Sequence, residues 1–143
     1  MSPFRDQAQM YEILGAFFDR IRFDPNLGPR LQSSHLVIRF IYTDPDGEVT
    51  INFSGPPPEE GAYGVYQFGP SPWEADVTMK QSADFSHRFW HGKANVMTAL
   101  ATRQIVARGS VPKALQLLPI IRPAFTIYPQ VLQDLGYEAL VLK

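Results

Sequence analysis

Apolar positions recur along this chain with two periods, and each change of period marks an element. Met10, Leu14, Phe17, Phe18 and Ile21 fall at helical spacing, with Asp6, Gln9, Asp19 and Arg22 on other faces, which predicts an amphipathic helix. Ser2-Pro3 is a capping hydroxyl followed by proline and places the helix start at residue 3; Asp24-Pro25 places its end near residue 22. Residues 26–35 read as a loop. From Leu36 the period becomes two. Leu36, Ile38, Phe40 and Tyr42 share one face, and Val49, Ile51 and Phe53 alternate with Thr50, Asn52 and Ser54. Between these runs Asp44-Pro-Asp-Gly47 predicts a turn in which proline sets the first central angle and Gly47 takes a left-handed position. The pair predicts an antiparallel hairpin with one packed face and one wet face.

Gly55-Pro-Pro-Pro-Glu-Glu-Gly61 is a stiff loop rather than a domain boundary. A third strand follows over 62–68, then a turn at Gly69-Pro-Ser-Pro72 and a fourth strand in which Ala75, Val77 and Met79 alternate with Asp76, Thr78 and Lys80. Ser82 caps a helix with Phe85, Phe89 and Trp90 that stops at Gly92; Asn95 caps a second, with Val96, Met97 and Leu100. Residues 105–109 read as a short fifth strand. Ser110 and Pro112 open a helix with Ala114, Leu115, Leu117 and Leu118, broken at Pro119 and Pro123. A last helix over 124–135 carries Phe125, Tyr128, Leu132 and Leu135, with Pro129 in its first turns or kinking it and Gly136 at its stop. Strands run together instead of alternating with helices, so the fold class is α+β, a mainly antiparallel sheet covered on one face.

Composition narrows the function. The chain has 143 residues, 45% apolar and 13% aromatic, enough for one domain with one real core. Net charge is -1 with scattered basic residues, which argues against a nucleic-acid partner. With no cysteine, disulfides, thiolate metal sites and a cysteine nucleophile are excluded, and a cytoplasmic address is expected. No apolar run approaches the roughly 18–20 residues of a membrane-spanning helix, so no stable membrane insertion is expected. The N-terminus does not read as a signal peptide, nor the C-terminal Leu-Val-Leu-Lys as a peroxisomal address.

Catalytic patterns fail on spacing. His87 and His91 are four apart on a helix and could face one metal, but position 88 is arginine where a zincin carries its base, so no metal site is expected and both histidines read as polar residues on a solvated face. No Gly-x-Ser-x-Gly elbow or glycine-rich phosphate loop occurs; Glu59-Glu60 sits in an exposed proline loop. What remains is apolar excess carried on short, proline-interrupted helices. Such helices fill a sheet face less tightly than long ones, and an apolar pocket with few polar groups is the usual small-molecule site.

With these residues in place the chain resembles the sterol carrier protein type 2 (SCP-2-like) lipid-transfer family over about residues 35–120. The likeness is carried by Thr43-Asp-Pro-Asp-Gly47, Ala75-Asp-Val-Thr-Met79, Asp84-Phe85, Trp90-His-Gly92-Lys93 with Asn95, Arg103-Gln-Ile-Val-Ala-Arg-Gly109 and Ala114-Leu115-x-Leu117. Two features depart from it: Thr102-Arg103 stands where the family often has Gly-Lys, and the segment after Pro119 is longer and richer in proline. The resemblance implies a five-stranded sheet with helices over one face and an apolar tunnel between. It also implies binding and transfer of a hydrophobic small molecule or lipid (a fatty acid, acyl-CoA, sterol or similar), with no cofactor and no catalysis.

The expectation is thus one SCP-2-like lipid-binding domain over 1–143, with a helix at 3–22, sheet and helices at 36–118 and a helical segment at 119–136. The expected ligand-binding residues are Phe85, Phe89, Met97, Leu100, Ile105, Leu115, Leu118, Ile121, Phe125, Tyr128 and Leu132. The alternative is a non-catalytic interaction module without a cavity, a homodimer through Trp73, Trp90 or the proline loop.

Overall fold

Residues Met10, Ile13, Leu14, Phe17, Phe18 and Ile21 are buried along one side of the first helix, α1 (Gln7–Phe23), in a computed structural model that describes residues 2–143. Met1, the first residue of the expected domain, lies outside the described residues. The helix starts later than Ser2-Pro3 predicts. Asp6 is its cap, accepting from the Gln9 N–H at 2.9 Å. Ser2 Oγ instead accepts from the Phe4 N–H, and the Phe4 ring is buried edge-on to His87 with centroids 5.5 Å apart. The chain before α1 is used to bury an aromatic ring rather than to lengthen the helix.

A second helix, α2 (Leu27–Gln32), occupies the segment expected to be a loop. The Asp24 carboxylate accepts from the N–H groups of Asn26 and Leu27, both at 2.8 Å, and Leu27 and Leu31 are buried. Six residues are too few for an apolar period to register.

Five strands form one sheet in the order β3-β2-β1-β4-β5: β1 (Val37–Thr43), β2 (Gly47–Asn52), β3 (Val65–Phe68), β4 (Val77–Ser82) and β5 (Val106–Gly109). Three pairings are antiparallel, and β1 with β4 is parallel, so the sheet is mainly antiparallel as the pattern predicts. The hairpin register sets Ile38 opposite Ile51 and Phe40 opposite Val49, which places the apolar faces of both strands together. Its turn is built differently from the expectation. Asp44 holds the left-handed backbone at φ 53°, and the Asp44–Pro45 peptide is cis. Gly47 is required for space, not for φ: a Cβ there would come within 2.9 Å of Met10 and Tyr11.

After β4 come α3 (Ala83–Trp90), α4 (Val96–Ala101), α5 (Val111–Leu115), α6 (Ala124–Asp134) and a 3-10 turn (Glu138–Leu140). Ser82 and Asn95 cap α3 and α4 as read, accepting from the N–H of Phe85 and Thr98 at 3.0 Å each. Pro129 lies inside α6, beyond its first turn, so one intrahelical bond is missing there. The helices gather over the apolar face of the sheet, the α+β architecture expected. On the opposite face Arg39 lies across Thr50, its Nε 3.3 Å from Oγ1.

Asp76 joins three strands. Its carboxylate accepts from the Val37 N–H, its own N–H donates to the Val37 carbonyl, and its carbonyl accepts from the Ser110 N–H, each at 2.8 Å. Gly109 closes against this group with φ 93°, and a Cβ on it would lie 2.2 Å from the Asp76 carbonyl oxygen. Gly109→Ala should therefore lower unfolding free energy by about 2–4 kcal/mol, adding backbone strain to a steric clash. Urea denaturation of the two proteins measures it; an unchanged midpoint would show that the joint is unimportant.

Candidate functional site

Between the apolar face of the sheet and the helices lies a cavity of about 1030 Å³, its open mouth included. Its floor is built by strand alternation: Ile38 and Phe40 of β1, Ile51 of β2, Met79 and Gln81 of β4, and Ala107 of β5 point inward. Its roof is built by helical spacing. Phe18, Ile21 and Arg22 come from α1; Phe85, Phe89 and Trp90 from α3; Val96 and Leu100 from α4. Val111, Ala114, Leu115, Leu117, Leu118 and Ile121, from α5 and the turns after it, complete the cover. The cavity exists because residues 116–123 turn repeatedly instead of continuing a helix, and turns cannot press a continuous ridge onto the sheet.

Of the residues expected at the site, Phe85, Phe89, Leu100, Ile105, Leu115, Leu118 and Ile121 line this cavity. The other four do not. Met97 is 61% exposed, on the outer side of α4. Phe125 packs behind the wall, edge-on to Phe89 at 5.6 Å and beneath Gly92. Tyr128 and Leu132 are fully buried, because α6 turns that face into the core beside α1 and α3 rather than over the sheet. The inner face of the sheet is expected at the ligand, but the named residues include none of β1, β2 or β4, although their alternation identifies them; the α1 contribution is not anticipated, because it belongs to a stripe wide enough to face both core and cavity.

The polar groups at the wall are few. Arg22 is 12% exposed at its side chain and its guanidinium is committed to Glu59 at 2.6 Å, Asp19 at 3.1 Å and the Gly64 carbonyl at 3.3 Å. The Tyr66 hydroxyl donates to the Gly15 carbonyl at 3.1 Å. Burial, with the Asp19 carboxylate nearby, pushes this phenol up to about 12, so it stays protonated. Gln81 is buried, and it is the polar group of the floor.

His87 and His91 are not on a solvated face. His87 is 1% exposed, and its two ring nitrogens meet the Tyr128 hydroxyl at 2.9 Å and the Leu140 carbonyl at 2.8 Å. The carbonyl can only accept, so Nε2 carries the proton and Nδ1 accepts from Tyr128. His91 Nε2 accepts from the Leu142 N–H at 3.2 Å, which leaves Nδ1–H to donate to the His87 carbonyl at 2.7 Å. Both imidazoles are spent on pinning the C-terminal segment. Among the described residues no group of three or more histidines, cysteines, aspartates or glutamates could hold a metal ion. Trp90 is likewise buried, edge-on to Phe17 at 4.7 Å, which removes it from the surface offered for a dimer.

Burial, then the neighbouring His91, lowers the His87 pKa to about 4; burial also lowers that of His91. The unfolded chain binds these protons near the ordinary value of 6.5, so it holds more protons than the folded chain between about pH 6.5 and 4. Stability is complete above that window and falls as pH falls through it, by on the order of 3 kcal/mol for His87. Denaturation midpoints measured from pH 7 to pH 4.5 should decline, and His87→Leu should be less stable at pH 7 but flatter in its pH dependence. An equal slope in the variant would assign the acid sensitivity elsewhere.

Comparison with known proteins follows this geometry. No family model and no curated protein matches the chain. Among solved structures it is similar to sterol carrier protein 2 from Yarrowia lipolytica in its apo form, at 21% identity and TM-score 0.64 over 87% of this chain and 98% of that one. It is similar to the sterol carrier protein domain 2 of Helicoverpa armigera at 19% identity and TM-score 0.57, over 80% and 86% of the two chains. It also matches 15% of the inverting sec-alkylsulfatase Pisa1 from Pseudomonas sp., at 18% identity and TM-score 0.55 over 73% of this chain. The fold is SCP-2-like.

Proposed function

We propose that this chain, an SCP-2-like domain taken as a single unit over 1–143, binds and carries a hydrophobic ligand in the cavity beneath its helices. A fatty acid, acyl-CoA, sterol or similar lipid is the class of cargo. The observation that carries the reading is the cavity wall itself, apolar on the sheet side and on the helix side, with few polar groups. Each methylene buried there would contribute about 0.8 kcal/mol before the costs of association. Phe85, Phe89, Leu100, Ile105, Leu115, Leu118 and Ile121 are the proposed contacts, together with the inward residues of the sheet.

The reading is of a container and not an enzyme. Arg22 is held by two carboxylates and Tyr66 stays protonated, so neither is poised to move a proton at neutral pH. No helix of the described residues is long and apolar enough to cross a membrane. A cytoplasmic protein that meets its cargo at membrane surfaces fits this picture. A second reading, an interaction module within a larger assembly, is favoured by the likeness to a small part of the alkylsulfatase.

Mass spectrometry of an organic extract of the purified protein tests for cargo directly. Long-chain ligands should raise the melting temperature of delipidated protein. Ala107→Phe, which adds a ring to the cavity floor, should weaken their binding by about tenfold or more while the protein stays folded. No extracted lipid and no melting shift with fatty acids, acyl-CoA or sterols would sink the container reading and leave the interaction module.

A further inference from the structure

The cations of this chain are spread along its length, but its carboxylates are not. From Phe85 to Gln133 there is no aspartate or glutamate, while the same stretch carries Arg88, Lys93, Arg103, Arg108, Lys113 and Arg122. The net charge of the whole chain is only -1, so a strongly positive stretch is set against a strongly negative remainder. That stretch includes α4, α5 and the turns after it, the short segments that cover the cavity.

Burial divides those segments into two sides. Val96 and Leu100 of α4, Ala114 and Leu115 of α5, and Leu118 and Ile121 of the turns line the cavity. Lys113 and Arg122 of the same segments are exposed, as are Lys93 and Arg103, which flank α4. None of these four cations makes an ion pair among the described residues. The other two are used elsewhere. Arg88 pairs with Asp84 at 3.1 Å, and Arg108 follows the cavity-lining Ala107 on β5 and so points to the opposite face of the sheet. Met97 stands on the outer side of α4, 61% exposed. Phe23, the other exposed large apolar side chain, has the Arg22 guanidinium 4.5 Å over its ring. The longest helix, α1, offers no comparable face, since its exposed side mixes Glu12, Asp19 and Arg20, and Arg20 is paired with Asp134.

We propose that the outer side of the cover, from Lys93 to Arg122, docks on a bilayer surface rich in anionic headgroups. Lys93, Arg103, Lys113 and Arg122 meet the headgroup layer, and Met97 enters its apolar edge. Unpaired cations beside an exposed apolar side chain are what an anionic lipid surface attracts. The negative remainder of the chain is repelled by the same surface, so the charge asymmetry also orients the approach. The inference rests on the container reading, whose cover it sets against the lipid, but its test requires no cargo.

Co-sedimentation of the full chain with vesicles tests it. The vesicles are phosphatidylcholine alone, or phosphatidylcholine with about 30% phosphatidylserine. In dilute buffer the anionic vesicles should bind about tenfold or more tighter, and about 0.5 M salt should remove most of the difference. Lys113→Ser/Arg122→Ser should weaken binding to anionic vesicles by about tenfold or more, and Met97→Ser by about threefold or more. These side chains are exposed, so the variants stay folded, which circular dichroism checks. Arg5→Ser/Arg20→Ser removes the same charge from cations already paired with Asp6 and Asp134, and should cost about twofold or less. Equal binding to both vesicle types, or equal losses in the two double variants, overturns the docking face and leaves the container standing. Binding of a single-stranded RNA of about 20 nucleotides, without binding of anionic vesicles, gives the face to nucleic acid and also overturns it. Docking by a chain that yields no extracted lipid and no melting shift would retire the container and keep the face.

Discussion

β4 runs parallel to β1, and the rest of the molecule is arranged around that pairing. Neighbouring strands of the same direction cannot be joined by a tight turn, so β2 and β3 must intervene before the chain returns. Asp76 sets the register of the return by using its carboxylate and N–H on Val37 of β1 and its carbonyl on Ser110, just after β5. The pairing then directs Met79 and Gln81 to the helix side, beside Phe40, and sends the chain straight into α3 at Ser82. Floor and roof of the cavity meet at that junction.

The helices divide the covered face into a filled part and an open part. In the filled part Phe17, Trp90 and Tyr128 pack edge-on, Phe17 lying 4.7 Å from Trp90 and 5.0 Å from Tyr128. His87 and His91 tie the 3-10 turn and the residues after it to α3 through bonds whose donors and acceptors are fully assigned. The open part lies under α4, α5 and the turns that follow. There the cover is short segments punctuated by proline, and their side chains leave room above Met79 and Ala107. One chain thus combines a rigid aromatic core, which holds the helices in place, with a neighbouring space that packing does not close.

Charge is placed with the same asymmetry. Near β3 the Arg22 guanidinium reaches the wall already matched by carboxylates. Near the end of β4 Lys80 and Arg103 make no ion pair among the described residues.

The local pattern of residues determined most of the elements of this fold. Alternation in 36–54, caps at Ser82 and Asn95, and glycine stops at Gly92 and Gly136 are local signals, and they were legible because they depend on neighbours in sequence. Tertiary structure decided what depends on neighbours in space. Gly47 is needed for its closeness to Met10 and Tyr11, and α2 depends on the carboxylate of Asp24. Which apolar residues face the cavity was only half legible: Leu115, Leu118 and Ile121 do, while Tyr128 and Leu132, equally apolar and equally periodic, are core. Periodicity shows that a helix has a buried face, but α6 packs that face on α1 and α3, and no local signal carries the choice of partner. His87 and His91 make the same point, since spacing four apart suggested a metal or a wet surface, and only the return of Leu140 and Leu142 from the end of the chain turned them into a buried clasp.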